Sequence, residues 1–404
     1  MAGKTAAGAL DGVRVLDLTS VFLGPYCTQL LGDMGADVIK IEPPGGDTTR
    51  YLGPSRSRGM GGTFLNVNRN KRSCVLDLKS PLAMETLARM VQSCDVMVHN
   101  MRPAAAARLG IDYAWARALN EKIVYCAAFG FGEGGRYAGR PAFDDSIQGI
   151  SGIAGYQGLL TGSPAYCGTV VADKVTGAMA ANAIVAALFA RERTGLGQSI
   201  DVPMFETMVA FVLAEHMTGA AFEPPLSTPV YARVVSRNRK PYETADGYLT
   251  VVPYNDKQWR KFFAAIGRED LAADPRFADM ASRTVNIDAL YTLLADEMRS
   301  RTTAEWIELL TANDIPNVPV TQPEELLGDP HLADVGFYRT AQHESEGEIR
   351  MTAPPVTFSQ TPSDIRHLAP RLGQHTEEVL GELGFSAEEI ARLAEAGVTR
   401  PRGG

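Results

Sequence analysis

Residues 13–42 read VRVLDLTSVFLGPYCTQLLGDMGADVIKIE, and their rhythm decides the fold class. Residues 13–18 are a short, mostly apolar run of strand length. Gly24-Pro25 then opens a helix that passes through Cys27 to Met34, with proline suited to the first helical position. Gly35 ends it, and residues 37–42 form a second strand. Strand, helix and strand in so short a span predict parallel pairing, because a parallel crossover needs a connection of helix length. Further strands at 73–78, 95–99, 123–128 and 199–202, with helices between them, extend the pattern to an α/β fold with a large Rossmann-like parallel-sheet domain. A dinucleotide site would place GxGxxG after the first strand. The turn here is LTSVFLGPYC, so nicotinamide or flavin chemistry is disfavoured.

The chain has 404 residues, too many for one ordinary core, which suggests two domains. It carries 39 basic and 47 acidic residues, a net charge of -8, which argues against a nucleic-acid or membrane-surface role and requires any anionic ligand to find a local basic patch. Cys27, Cys74, Cys94, Cys126 and Cys167 are scattered without a CxxC pair and read as reduced packing thiols. The six histidines show no metal-ligand spacing, so no metal is expected. The first residues contain no signal-peptide core, and the longest apolar run, 175–190, is shorter than the ~18 residues of a membrane span. A cytoplasmic protein with a buried core helix is the expectation.

The stretch GTVVADKVTG, residues 168–177, is the candidate centre of the chemistry. It sets one carboxylate, Asp173, before the helical run AMAANAIVAALFA at 178–190. On local pattern alone Asp173 is an N-cap, accepting a hydrogen bond from a free backbone N–H of the first turn. Polar groups also stand at strand ends, where doubly wound sheets bind ligands: Asn100, Arg102 and the glycine-rich loop 129–135. Arg69, Lys71, Arg72, Lys79, Arg102 and Arg108 gather in the same half of the chain. Singly each reads as a solvated surface charge; together, in a net-acidic chain, they look like a phosphate-binding patch. Composition shifts at 222–241, where prolines accompany Arg233, Arg237, Arg239 and Lys240 in a connector. A compact α+β unit follows to about residue 322, and the tail contains a strand near 350–357 and two terminal helices.

The chain resembles the class III CoA-transferases, of the formyl-CoA transferase and carnitine-CoA transferase type, a family that includes alpha-methylacyl-CoA racemases. The resemblance rests on many segments in order: LDGVRVLDLTSVFLGPYCTQLLGDMGADVIKIEPPGGD, NRNKRSCVLDLKS, DVMVHNMRPAAAARLG, RPAFDDSIQGISG, TVVADKVTGAMAANAIVAALFARERTGLGQSIDVPMFE, RKPYETADGYLTV and LGQHTEEVLGELGFS. It implies a large domain built from both chain ends (1–222 and 326–404), a small domain at 223–325, and two subunits interlocked as a homodimer. It implies no permanently bound cofactor, with acyl-CoA and a small carboxylic acid, possibly dicarboxylic, as substrates. Asp173 falls on the family's nucleophile, which forms an aspartyl acyl anhydride and then an aspartyl-CoA thioester. An aspartate at a helix start is expected to be ionised at neutral pH, its reference pKa being about 3.9. The implied CoA-binding positions are Phe22, Leu76, Asp77, Leu78, Lys79, Asn100, Met101, Arg102, Arg108 and Arg140, with the loop 129–140 flanking the CoA tail.

Two departures narrow the reading. The racemases carry His before Asp where this chain has Phe143-Asp144, and phenylalanine cannot shuttle a proton. The formyl-CoA:oxalate enzymes carry a glycine run in the small domain, absent from 225–245, and Gln in place of Phe22. The alternatives to CoA transfer between molecules are racemisation or intramolecular CoA migration on the same fold, and a non-catalytic CoA-binding dimer. Arg233, Arg237 and Arg239 read equally as contacts for an acceptor carboxylate and as a solvated connector.

Overall fold

A computed structural model describes residues 8–400 and divides the chain into two compact units. The first takes the chain up to Ser151, Gly168 to Ala210, and everything from His331 onward. The second takes Gly152–Cys167 and Phe211–Pro330. The expected boundary at 222 thus falls inside the second unit, and 152–167, which carries the helix Ile153–Thr161, joins that unit from an earlier stretch of chain.

The first unit is a six-stranded parallel sheet of β1 (Arg14–Leu18), β2 (Asp37–Glu42), β3 (Lys71–Val75), β4 (Val96–His99), β5 (Val124–Phe129) and β6 (Ser199–Pro203). The spatial order is β3-β2-β1-β4-β5-β6, the doubly wound order of dinucleotide-binding folds. Val15 lies level with Val38 on one side and Val96 on the other. β1 to β5 are almost wholly buried, as in sheets covered on both faces. Among the covering helices are α1 (Leu23–Asp33), α2 (Pro81–Ser93), α3 (Pro103–Leu109), α4 (Asp144–Ile150), α5 (Val171–Thr194) and α6 (Met204–His216). The core beneath α2 includes Leu16, Ile39, Leu87, Met97 and Val379.

β3 begins two residues earlier than its apolar content predicts, at Lys71 and Arg72, because those charges are neutralised inside the fold. Lys71 Nζ lies 3.2 Å from the Asp17 carboxylate, and both side chains are wholly buried. Arg72 pairs with Asp37, Glu378 and Glu382, and Arg69 with Asp33. Lys40 faces Asp47 at 3.0 Å and Arg50 grips Glu42 through two bonds of 2.7 and 2.8 Å, all four side chains buried. Three cations and three carboxylates therefore sit in one dry cluster, where each would cost several kcal/mol if left unpaired. Burial opposes ionisation of Asp17, but Lys71 and Lys40, with the Thr19 and Thr28 hydroxyls, hold its carboxyl below the usual range. Burial pulls Lys71 down to about 8 against the attraction of Asp17.

The tail closes the β3 edge. Thr376 Oγ1 accepts from Val75 N, Thr399 Oγ1 donates to Val75 O, and His375 N donates to Ser73 O. Exposed edge groups that would template pairing with another chain are thereby satisfied. The tail also holds an antiparallel hairpin, Tyr338–His343 with Gly347–Thr352, which extends the single strand expected near 350.

The second unit packs a three-stranded antiparallel sheet, β7 (Tyr242–Glu243), β8 (Tyr248–Val251) and β9 (Asn317–Pro319), against helices that include α7 (Asp256–Ala265), α8 (Ile287–Met298) and α9 (Thr303–Ala312). Its core is aromatic, with Trp259, Phe262, Phe263 and Trp306 buried and the Trp306 indole donating to Met298 O.

The charge cluster sets the stability of the first unit. Asp17→Ala leaves Lys71 without its carboxylate and is expected to cost about 3–5 kcal/mol in urea unfolding. Adding Lys71→Met should recover part of that loss. A single-variant cost under about 1 kcal/mol would show the pair to be dispensable.

Candidate active site

The doubly wound order places a switch point between β1 and β4, where the loops after the two strands part and ligands bind. The two loops are tied together there. Ser20 N donates to Asn100 Oδ1 at 3.0 Å, and Asn100 Nδ2 donates to Ser20 O at 2.7 Å. The buried charges reach the same loop: Lys40 Nζ donates to Thr19 O, and Val21 N donates to Asp47 Oδ1. Val21 is held at φ 70°, a conformation that a β-branched residue adopts only under strain imposed by its surroundings. Above this loop lies a cavity of about 380 Å³, lined among others by Val21, Phe22, Asn100, Arg102, Arg140 and Asp173.

Asp173 reaches the cavity because α5 packs directly on α1. One stripe of α5 is buried, from Ala172 through Gly177, Ala180 and Ile184 to Leu188. Gly177 permits the close approach, since a Cβ there would stand 2.5 Å from Leu23 O. α5 starts at Val171, so Asp173 sits in its first turn and is not its N-cap, correcting the local reading. The cap comes from elsewhere in the chain. Asp144, at the start of α4 and itself buried, accepts from Ala172 N at 2.8 Å and Asp173 N at 3.1 Å through one oxygen, Oδ1. Its Oδ2 accepts from Gln148 Nε2 at 2.6 Å. The Asp173 carboxylate has no hydrogen bond or ion pair among the described residues and is left facing the cavity.

Burial pushes Asp173 up to about 7, and the negative charges of Asp144 and Asp145 push in the same direction. The helix start is expected to keep it ionised at neutral pH; with desolvation and two neighbouring carboxylates outweighing the helix terminus, the group is only partly ionised there. At this value a carboxylate is more basic than an ordinary aspartate yet still substantially ionised at neutral pH.

The other sequence candidates divide. Phe22, Asn100, Arg102 and Arg140 line the cavity with Asp173, and the Arg140 guanidinium lies 4.6 Å over the Tyr137 ring. Leu76, Asp77, Leu78 and Lys79 follow β3 and do not line it. Leu76 is buried in the core, Leu78 packs against it, Asp77 N donates to Val398 O, and Lys79 is exposed. Met101 packs on the core, and Arg108 is exposed in the last turn of α3. The basic patch is corrected: Arg69, Lys71 and Arg72 are engaged in the ion pairs described above, leaving only Lys79, Arg102 and Arg108 of that set exposed. The glycine-rich loop is anchored by edge-on and tilted packing of Phe131 and Tyr137 on Phe205 and by the bond from Gly132 N to Glu206 Oε1. Asp144 escaped the sequence reading. The i, i+4 spacing of Asp144 and Gln148 hints at a side-chain pair, but the partners of Oδ1 lie 28 and 29 residues away. Phe143 stands at the cavity mouth, 71% exposed, where no proton can be relayed through it.

A sequence model of CoA-transferase family III matches residues 10–376. The chain is 36% identical to a succinate–glutarate CoA-transferase of Agrobacterium fabrum over 95% of this chain and 97% of that protein. It is 35% identical to a succinyl-CoA:mesaconate CoA-transferase of Haloarcula hispanica, over 93% and 97% respectively. A CaiB/BaiF family protein of Brucella suis superposes with a TM-score of 0.78 at 30% identity, over 93% of this chain and all of that one.

The raised Asp173 value has a stability consequence whose sign is fixed. Ionisation is penalised in the folded state but not in the unfolded chain, so the penalty is absent below the ordinary value of 3.8, grows above it, and is complete above about 7. Asp173→Asn should therefore raise the melting temperature at about pH 8 and have little effect near pH 4. A difference that does not change with pH would contradict the environment described.

Proposed function

The chain belongs to CoA-transferase family III, and from that membership we propose that it moves CoA from an acyl-CoA thioester to a free carboxylic acid, with Asp173 as the nucleophile. The observation that supports this reading best is the unpartnered, half-buried Asp173 carboxylate, held at a helix start and facing a cavity at the switch point. Ionised Asp173 attacks the thioester carbonyl, and the CoA thiolate leaves, giving an acyl–aspartyl anhydride. The thiolate then attacks the aspartyl carbonyl, expelling the donor acid and forming an aspartyl-CoA thioester. The acceptor carboxylate attacks that thioester and releases the thiolate again. Attack of the thiolate on the acyl carbon of the second anhydride yields the new acyl-CoA and regenerates Asp173. No step needs a net proton transfer, which suits a cavity without a histidine among its lining residues.

The buried or half-buried apolar part of the lining, Phe22, Phe129 and Met204, limits the approach of water to the activated anhydride and thioester. Arg102 and Arg140 are the cations that meet CoA or acid oxygens there. The positions after β3 (Leu76, Asp77, Leu78 and Lys79), after β4 (Met101) and on α3 (Arg108) extend the CoA site along the same carboxyl edge of the sheet. Leu76 would contribute through its backbone alone, since its side chain is enclosed. The acceptor is a dicarboxylic acid of the succinate–glutarate–mesaconate class, by similarity to the relatives above. Exposed Met179 and Phe189 on α5 support a homodimer, interlocked as in the family, in which this apolar surface is covered.

Asp173→Ala and Asp173→Asn should abolish CoA exchange between an acyl-CoA and a panel of acids, and remove the CoA adduct seen by intact-mass analysis of the wild type. Retained turnover in either variant defeats the covalent reading. Because the carboxylate form attacks, the rate of adduct formation should rise with pH through about 7 and level off above it. Asp145→Asn removes one neighbouring charge and should move that limb to lower pH. A limb left in place would show that Asp145 does not act on Asp173.

A further inference from the structure

The second unit contains a cavity of about 270 Å³ whose walls include Arg233, Arg239, Lys240, Tyr242 and Tyr291. No acidic residue lines it. The Arg233 guanidinium is fixed from two sides: its Nε donates to the Tyr291 hydroxyl at 3.0 Å, and its carbon lies 4.6 Å over the Tyr254 ring. Arg239 leaves the turn closed by its own backbone bond to Ser236 O, and Lys240 follows it directly. Tyr242 lines the same cavity as the two arginines; burial, then Tyr291, raises the pKa of its hydroxyl, while Arg239 and Arg233 pull it the other way.

Six buried or half-buried arginines elsewhere in the chain, Arg14, Arg50, Arg69, Arg72, Arg191 and Arg283, face a carboxylate of the protein, while half-buried Arg366 donates to the Gly32 and Ala36 carbonyls and Arg301 lies over the Trp306 ring. Among the described residues no carboxylate pairs with Arg233, Arg239 or Lys240. Like charges gathered around one concavity repel, and the arrangement becomes favourable when an anion completes it. A guanidinium immobilised in advance has lost its rotamer freedom before binding, so less entropy is lost when a carboxylate docks. At about 270 Å³ the cavity lies just below the ~300–1,000 Å³ that houses drug-sized ligands, a size that suits a small acid.

We propose that this cavity is a docking site for a small dicarboxylate, the free acid of the transfer reaction. The identity of the acid as a diacid rests on the function proposed above; the anion site itself does not. A fixed arginine flanked by a second arginine and a lysine suits a small anion that carries two negative charges.

The test measures binding without turnover, using the full-length Asp173→Asn protein and calorimetric titration with succinate, glutarate, inorganic phosphate and CoA in turn. A diacid should bind, and its affinity should fall at least about tenfold in Arg233→Met and in the exposed pair Arg239→Met with Lys240→Met, while Arg260→Met, which removes an exposed charge of the same unit, leaves it unchanged. In the Asp173-containing protein, the same pair should raise KM for the acid and leave KM for the acyl-CoA alone. Diacid affinity unchanged in the exposed pair, or binding of phosphate or CoA to the cavity with no diacid binding, overturns the proposal. Those results leave the Asp173 chemistry standing, and transfer by Asp173→Ala would overturn that chemistry without touching the anion site.

Discussion

The buried ion cluster beneath the β1 loop is the constraint from which the first unit takes its form. Asp17, Lys40 and Lys71 stand on three adjacent strands, β1, β2 and β3, and their charges are satisfied only when those strands are paired in the observed register. The same groups reach beyond the sheet. Asp17 accepts from Thr19 and Thr28, and Lys40 and Lys71 donate to Thr19 O and Pro25 O. The loop from Thr19 to Leu23 and the start of α1 are thereby fixed by buried electrostatics rather than by turn chemistry. That explains how Val21 can persist in a conformation it would not adopt alone. A dinucleotide-binding fold uses glycines at this turn to admit a pyrophosphate; here charges hold the turn and a carboxylate on α5 looks across it.

The second constraint is the pairing of Asp144 with the start of α5. A carboxylate normally caps the helix it precedes. Here the capping carboxylate comes from α4, which leaves the helix's own aspartate without a structural duty and turned to the cavity. The arrangement also places a negative charge beside Asp173, so the group that positions it makes it more basic. Burial adds to that effect. A carboxylate in such surroundings is destabilising in the folded state, and sites where local stability is given up are commonly those that carry function.

Much of the scaffold was legible in the sequence because parallel strands buried on both faces are short apolar runs, and β1, β2, β4 and β5 show that pattern with helical segments between them, while the edge strand β6 is marked by the turn at 195–198 that precedes it. β3 was displaced because its first residues, Lys71 and Arg72, read as surface. Their burial depends on Asp17, Asp37, Glu378 and Glu382, the last two some three hundred residues away. The first hairpin strand, Tyr338–His343, lacks a buried face and so has no apolar periodicity to detect. The basic patch dissolved for the reason that displaced β3: a charged residue's partners are not its sequence neighbours.

By itself the sequence determined the succession of strands and helices and the absence of a dinucleotide turn, because apolar periodicity and motif order are local properties; read locally Asp173 was only a helix cap, and its candidacy as nucleophile came from the family resemblance. The tertiary structure alone decided which arginines and lysines are neutralised internally and which remain for ligands, that Asp144 caps α5, and that Asp173 titrates near neutrality. Those outcomes depend on distances between charges and on how far water is excluded around them, and neither quantity exists until the chain has folded.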